Sequence, residues 1–159
     1  MIRDMVLGDI YLVESSLAYR MYEGSAYFGL DYDPNRVRGH LRQSVLSDSC
    51  FGCVAEVGGE LVGFLTGYVT PYVFGNELLA SEQLWYVLPG SRSLAHGSGL
   101  MASAGLGLLR AFEVWARGKG VREVAVGLST GNDPDRVGAL LERRGYRHMG
   151  GAYKLPVVG

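Results

Sequence analysis

The chain has 159 residues, of which 48% are apolar and 19% are charged, and its net charge is −1. This size and composition are typical of one globular domain and exclude a disordered tail. The near-neutral charge gives no support for a nucleic-acid binder. No apolar run approaches the roughly 20 residues that cross a bilayer, and the N-terminus lacks the apolar segment of a signal peptide. We therefore expect a cytoplasmic protein whose partners include neither nucleic acid nor a membrane.

The N-terminal third predicts one strand and two helices. Residues 1–5 are expected to form the strand, and Asp9 is expected to cap a helix over residues 10–22. A segment rich in turn formers and aromatic residues follows. Asp33 and Pro34 then predict the start of a second helix, which runs to about residue 46.

The remaining pattern predicts a mixed α/β fold in a single domain, residues 1–159. Residues 51–57 and 60–69 form a predicted hairpin around Gly58-Gly59, and residues 78–88 a third antiparallel strand. A helix over residues 104–117, a strand over 121–128, a helix over 136–144 and two closing strands over 146–149 and 152–157 follow. The predicted sheet is mostly antiparallel, with about seven strands flanked by about four helices in the order β-α-α-β-β-β-α-β-α-β-β.

The segment between Pro89 and the helix from residue 104 is rich in glycine and serine. A glycine-rich loop that enters a helix offers converging backbone N–H groups and the positive end of the helix dipole. This pattern predicts an anion site, most often for phosphate.

The same region carries a resemblance to a known family. Its residues occur in the order strand, V-x-P-x-x-R, glycine loop, and a helix ending near E-x-W-A, as Val87, Pro89, Arg92, Glu113, Trp115 and Ala116. This order resembles the coenzyme A motif of the GNAT-type N-acetyltransferases. The resemblance extends over nearly the whole chain and is strongest to the phage-encoded branch, whose VTPYVFGNELLASEQLWYV run it shares.

The loop departs from the family pattern in length. Counted forward from Pro89, the loop arginine is Arg92; counted back from Trp115 and Ala116, its position holds Leu100. The difference leaves about eight extra residues, roughly 96–103, so the register of the coenzyme loop is open.

The resemblance implies acetyl-CoA as co-substrate and no metal. The strand backbone at Tyr86, Val87 and Leu88 would pair with the pantetheine arm. The pyrophosphate would lie on the loop, with candidate contacts from Arg92, Gly97, Gly99, Gly105, Gly107 and Asn132. Alternatively, Arg92 is a solvated loop residue, the glycines provide flexibility or lie in a longer helix, and Asn132 forms a turn or a cap.

Two candidates for proton transfer follow from the same resemblance. Glu82 matches the acidic position on the strand before the loop, where apolar neighbours would raise its pKa; its alternative is a solvated strand face. The family's usual acid is a Tyr at the position that Leu141 holds here, and leucine carries no proton to donate. Tyr146 follows nearby, and its hydroxyl is either a contributor or part of the core.

The aromatic loop between the first two helices borders the acceptor site in the resemblance. Tyr27, Phe28 and Tyr32 are therefore candidate substrate contacts, or else they anchor the loop to the core. Acidic neighbours at Glu23, Asp31 and Asp33 favour a cationic acceptor, a small molecule or a peptide.

The resemblance implies an enzyme that transfers acetyl from acetyl-CoA to a primary amine by direct attack in a ternary complex. The alternative is a GNAT-fold module that binds coenzyme A or another nucleotide with little catalysis. GNAT-fold proteins commonly dimerise, and residues 153–158 are the candidate strand for a homodimer interface.

Cysteines and histidines give little support for a metal site. Cys50 and Cys53 form an isolated CxxC before a strand, with no second pair to complete a zinc site. His40 and His148 lack partners at ligand spacing, and His96 lies in the extra loop segment. We interpret both cysteines as ordinary small residues at a strand start.

Overall fold

The computed structural model describes residues 1–89, 104–128 and 134–157. In these ranges one five-stranded sheet is covered by four helices. The strands are β1 (Ile2–Asp4), β2 (Cys50–Val57), β3 (Glu60–Pro71), β4 (Leu78–Val87) and β5 (Glu123–Ala125). Helix α1 spans residues 7–23, and the other helices are α2 (Pro34–Leu46), α3 (Ala104–Gly118) and α4 (Pro134–Arg143). Within the described ranges, no helix combines the length and apolarity needed to span a membrane.

The sheet follows chain order, β1-β2-β3-β4-β5, and is antiparallel except for the parallel pair β4–β5. The turn between β2 and β3 consists of Gly58 and Gly59, whose φ angles are 59° and 85°. Two consecutive positive φ angles match the twist of a tight hairpin and favour glycine at both positions. The predicted hairpin is therefore confirmed.

The two faces of the sheet pack against different helices. Along a strand, successive side chains point to opposite faces, so Leu65 joins the cluster beneath α3 while its neighbour Phe64 joins the cluster beneath α1 and α2. The α3 side includes Ala55, Leu65, Ala80, Leu108, Phe112 and Ala116. The opposite side includes Val13, Leu17, Leu41, Val54, Phe64 and Tyr86. The two-layered core thus places α3 on one face and the α1–α2 pair on the other.

Helix α1 changes its winding along its length. It begins with a 3₁₀ turn (Leu7–Asp9), continues as α-helix (Ile10–Leu12), widens to a π-helical stretch (Val13–Ala18) and returns to α-helix (Tyr19–Glu23). The prediction of Asp9 as an N-cap for residues 10–22 is wrong. Its buried carboxylate instead accepts the Val6 N–H at 2.9 Å and binds the Arg3 guanidinium, which lowers the pKa of Asp9.

Helix α2 begins as predicted. The Asp33 carboxylate accepts the backbone N–H groups of Asn35 at 2.9 Å and Arg36 at 3.3 Å, and Pro34 occupies the first helical position. This cap satisfies donors that a helix N-terminus otherwise leaves unpaired.

The C-terminal part differs from the prediction. The strand predicted over residues 121–128 forms only at Glu123–Ala125, and residues 146–149 and 152–157 form no strands in the part of the chain that the structure describes. Gly150 has a φ of 113°, which lies outside the range of a β-strand, and Pro156 offers no N–H for a ladder. Tyr153 and Leu155 are 101% and 84% exposed, so their apolar alternation packs on no sheet face.

We predict that Gly67→Ala destabilises the fold by about 1–3 kcal/mol through overpacking. A Cβ at Gly67 would lie 2.5 Å from Phe112 Cε2 and 2.9 Å from the Ser81 carbonyl oxygen. Chemical denaturation measures the change. The matched variant is Gly39→Ala in α2, where an added Cβ would meet no other part of the structure within 4 Å. This variant should gain about 1 kcal/mol of stability from helix propensity. A Gly67→Ala protein as stable as the unmodified chain would contradict this packing.

Candidate active site

Strands β4 and β5 separate shortly after they pair. Their parallel ladder covers Leu79↔Glu123, Ala80↔Val124 and Ser81↔Ala125. Strand β4 nevertheless continues to Val87 beside β3, whereas β5 ends at Ala125. Beyond Ser81, no described strand pairs with β4 on this side. The two segments that follow the paired residues therefore form a fork in the sheet. We define this fork by residues 82–87 and 126–128.

A β-bulge lies at the base of this fork. Thr66 pairs with Leu84 and the next β3 residue, Gly67, pairs with Glu82, so Gln83 is an extra residue on β4. Bulges bend a strand and redirect its side chains. The Thr66 hydroxyl, fully buried, lies 3.0 Å from His40 Nε2 and ties α2 to the bulge. Burial lowers the pKa of His40.

Glu82 is the first β4 residue beyond the paired segment, and its carboxylate crosses the fork. Its Oε2 atom accepts the Gly127 backbone N–H at 3.2 Å. Desolvation raises the pKa of Glu82 from 4.5 to about 7, although the Gly127 hydrogen bond acts in the opposite direction. A carboxylate that titrates near neutral pH can accept a proton efficiently under physiological conditions. The group is thus equipped to act as a general base.

The backbone of β4 beside the fork follows a regular alternation. The Leu88 N–H donates to the Val62 carbonyl of β3 at 2.8 Å. Backbone groups of successive strand residues point in opposite directions, so those of Tyr86 face β3 and those of Val87 face the fork. Tyr86 and Val87 are buried and Leu88 is partly buried. These are the three positions for which a pantetheine contact is predicted.

Only some of the candidate coenzyme-loop residues lie in the part of the chain that the structure describes. Arg92, Gly97, Gly99 and Asn132 lie outside the described residues. Gly105 and Gly107 lie within α3. A Cβ on Gly107 would approach Ile2 Cγ1 to 2.8 Å, so glycine at this position allows α3 to pack closely on β1.

The predicted acceptor loop, residues 24–33, contains a packed aromatic group. The Tyr32 ring centroid lies 5.1 Å from that of Tyr19 and 5.0 Å from that of Tyr22, and Tyr22 lies 5.6 Å from Phe28. Phe28 is 66% exposed, so part of this group faces solvent. Tyr27 is partly buried and lies under the Lys154 ammonium.

Sequence reasoning missed Glu14, which anchors this loop. Glu14 is only 3% exposed and lies in the π-helical stretch of α1. Its Oε2 atom accepts from Arg38 Nε at 2.9 Å, and its Oε1 atom accepts from the Tyr32 hydroxyl at 3.1 Å. Burial, together with the Glu14 carboxylate, raises the pKa of Tyr32. The one signal in the sequence is an acid at a helical spacing shared with buried Ala18 and Met21.

Tyr146 is bound to α3 and not to any residue of the fork. Its hydroxyl donates to Glu113 Oε1 at 3.0 Å, and Arg144 forms an ion pair with the same carboxylate. Burial and the Glu113 charge raise the pKa of Tyr146. Leu141, at the position of the family's usual acid, is 7% exposed and packs as a core residue.

The cysteines and possible metal ligands give no further site. Cys53 is buried, which raises the pKa of its thiol, and Cys50 is partly buried on the same strand. Among residues 1–89, 104–128 and 134–157, no three His, Cys, Asp or Glu side chains are grouped to hold a metal ion.

Comparison with known proteins shows which solved structures share this fold. No family model matches the chain, and no curated protein matches it in sequence. Solved structures do match: AAC(6')-Iy with a bisubstrate analogue, CoA-S-monomethyl-acetylneamine, has a TM-score of 0.73 and 17% identity, covering 100% of this chain and 98% of that one. The ribosomal-protein-alanine N-acetyltransferase of Brucella melitensis biovar Abortus 2308 has a TM-score of 0.68 and 16% identity, with 98% and 99% covered.

The chain has a GNAT-like fold.

A third match limits what this fold implies. A transcriptional regulator from Bacillus halodurans C-125 has a TM-score of 0.72 and 18% identity, with 98% of each chain covered. Similar folds host different functions, so the GNAT-like fold alone does not assign an activity. None of these three matches supports the phage-encoded branch, which stays a prediction from sequence.

We predict that the raised pKa of Glu82 makes the unfolding free energy depend on pH. Between pH 4.5 and about 7 the folded chain retains a proton on Glu82 that the unfolded chain has lost. Folding therefore weakens as pH rises through this window. Subtracting the unfolding free energy of Glu82→Gln from that of the unmodified chain should show a fall of about 3 kcal/mol across this window. A flat difference for Glu82→Gln would contradict the raised pKa.

Proposed function

We propose that the chain is an acetyl-CoA-dependent N-acetyltransferase that acts on a primary amine by direct attack in a ternary complex. The observation that carries the proposal is Glu82, a carboxylate with a pKa of about 7 at the base of an open fork in the sheet. The fold supports it, because solved structures of similar fold are described as acetyltransferases, including one with a CoA-derived bisubstrate analogue.

The fork supplies the binding step of this mechanism. A pantetheine arm that entered between β4 and β5 would lie beside the backbone of Val87, whose groups face the fork. The loop after Pro89 and the start of α3 would take the pyrophosphate, through the candidates Arg92, Gly97, Gly99, Gly105, Gly107 and Asn132. Holding the thioester and the amine together removes most of the entropic cost of their encounter.

Glu82 supplies the proton transfer. The acceptor arrives largely as an ammonium ion and must lose a proton before its nitrogen can attack the thioester carbonyl. Glu82 takes this proton, directly or through a water molecule, because its pKa is close to neutral. The coenzyme leaves as a thiolate and takes its proton from water, since Leu141 has none and the Tyr146 hydroxyl is engaged with Glu113.

The alternative function is a GNAT-fold module that binds coenzyme A or another nucleotide with little catalysis. The specific observation in its favour is the buried Leu141, which leaves the position of the family's usual acid without a proton donor. Both functions include coenzyme binding, so turnover with an amine distinguishes them.

Replacement of the proposed base should reduce turnover with little change in folding. We expect Glu82→Gln to lower kcat about 100-fold or more, a typical loss for a general base. The kcat/KM of the unmodified chain should rise with pH and level off above about 7, because the base must be ionised. Release of coenzyme A thiol measures both. Glu77→Gln, far more exposed, is the matched control. Unchanged kcat in Glu82→Gln would refute the assignment.

The acceptor is proposed to be cationic. Glu23 and Asp31 are exposed at the aromatic loop, whereas the Asp33 carboxylate is engaged in the helix cap. Tyr27, Phe28 and Tyr32 provide aromatic surface beside these charges, which suits an ammonium group. A diamine should therefore show a KM about tenfold below that of a neutral hydroxyl-bearing amine of equal length. A neutral amine as the better substrate at low salt would contradict the assignment.

A further inference from the structure

The chain contains only two lysines, Lys119 and Lys154. They are the two side-chain primary amines that this sequence could offer to an acetyl donor. Both lysines are exposed. Their surroundings differ, because one follows α3 and the other lies in the C-terminal tail, residues 147–157.

Lys154, in the tail, contacts the proposed acceptor loop. Its Nζ atom is 3.9 Å from the centroid of the Tyr27 ring, a direct contact between an ammonium group and an aromatic face. Tyr27 is one of the three aromatic residues proposed to contact the acceptor. The tail thus holds a primary amine where an external cationic amine is expected to bind.

The path of the tail makes this contact notable. Tyr146 is fixed to Glu113 on α3, which packs on one face of the sheet. Eight residues later, Lys154 contacts the loop that connects α1 and α2. These two helices pack on the opposite face of the sheet. The tail therefore passes from one face of the sheet to the other. The flanking Tyr153 and Leu155 are 101% and 84% exposed, so burial of apolar side chains does not explain the position of Lys154.

We propose that Lys154 is an acyl acceptor for this chain's own acetyl transfer, presented in cis by its contact with Tyr27. The inference rests on the proposed function and adds a modification site to it. The Lys154 ammonium gives one proton to the base; its nitrogen forms a bond to the thioester carbonyl carbon, and the C–S bond breaks. The remaining excess proton on nitrogen passes to water, and the departing thiolate takes one proton from water, giving an acetyl-lysine amide, coenzyme A thiol and one released proton.

The product differs from the substrate in charge. Acetylation removes the cation that the Tyr27 ring attracts. The modified tail then loses the attraction between the Lys154 ammonium and the Tyr27 ring. Acetylation of Lys154 would therefore free the acceptor loop after a single event per chain.

The test is acetylation of the purified full chain with acetyl-CoA as the only added reactant. Digestion with a protease that does not cut at lysine, followed by mass spectrometry over time, gives the extent of acetylation at each amine. Lys119 is a matched internal control, because it is also exposed and also lies over an aromatic ring, with Nζ 5.7 Å from the Trp115 centroid. We expect Lys154 to react at least about tenfold faster than Lys119, as an oriented amine should.

Two variants separate this reaction from uncatalysed acetylation. Tyr27→Leu removes the contact and should lower the rate at Lys154 to that at Lys119. Glu82→Gln removes the base and should do the same. The rate per chain in the unmodified protein should not depend on protein concentration, because the amine and the site belong to one molecule.

Several outcomes would overturn the inference. Equal rates at Lys154 and Lys119, or a rate at Lys154 that rises in proportion to protein concentration, would exclude presentation in cis. A parallel assay of thiol release with a short alkyl diamine, using Lys154→Arg, keeps the two proposals apart. Turnover of the diamine without modification of Lys154 in the unmodified chain would refute this inference and leave the proposed function standing. No reaction in either assay would refute both.

Discussion

The end of the β4–β5 ladder at Ser81 and Ala125 is the constraint on which the rest of the site depends. A sheet in which β5 continued beside β4 would leave no space between the two strands. Because pairing stops there, the next residue, Glu82, reaches across the gap to a backbone N–H of the neighbouring chain. Its desolvation and raised pKa follow from this position at the junction between closed sheet and open fork.

The bulge at Gln83 and the packing of the two faces support the same junction. An extra residue on β4 changes the register between Gly67 and Thr66, so side chains before and after the bulge are presented differently. Gly67 is held directly beneath the Phe112 ring of α3. On the opposite face, His40 of α2 binds Thr66. The strand segment that positions Glu82 is therefore fixed from both sides, which suits a group that must keep a defined geometry.

Local patterns in the sequence predicted much of the fold. The Gly58-Gly59 hairpin, the Asp33 cap of α2 and the helix near Trp115 depend on neighbouring residues, and the structure confirms them. The length of β5 depends on where two distant strands part, which no local pattern encodes. The tail alternates like a strand, yet it finds no sheet face, so the prediction of closing strands failed. Alternation predicts which residues could share a face, but not whether a partner is present.

The candidate site shows the same division between local and distant causes. Glu82 could be proposed from its place on the strand before the loop, because its apolar neighbours are adjacent in sequence. Glu14 could not, because its burial is compensated by Arg38, which lies 24 residues away. An isolated acid on the apolar side of a helix looks unfavourable until its partner is known. Pairings of this kind become visible only when the helices are placed together.

The Glu14–Arg38 ion pair has a consequence for how this protein could change its substrate over evolutionary time. It joins α1 to α2 on either side of residues 24–33, so both ends of the loop are held by a contact outside the loop itself. Lengthening a loop whose ends are already fixed costs little, since the closure entropy grows only with the logarithm of its length. Insertions and replacements there can accumulate without disturbing the fork. Under the proposed function, acceptor choice and acetyl transfer would thus be carried by parts of the chain that can vary independently.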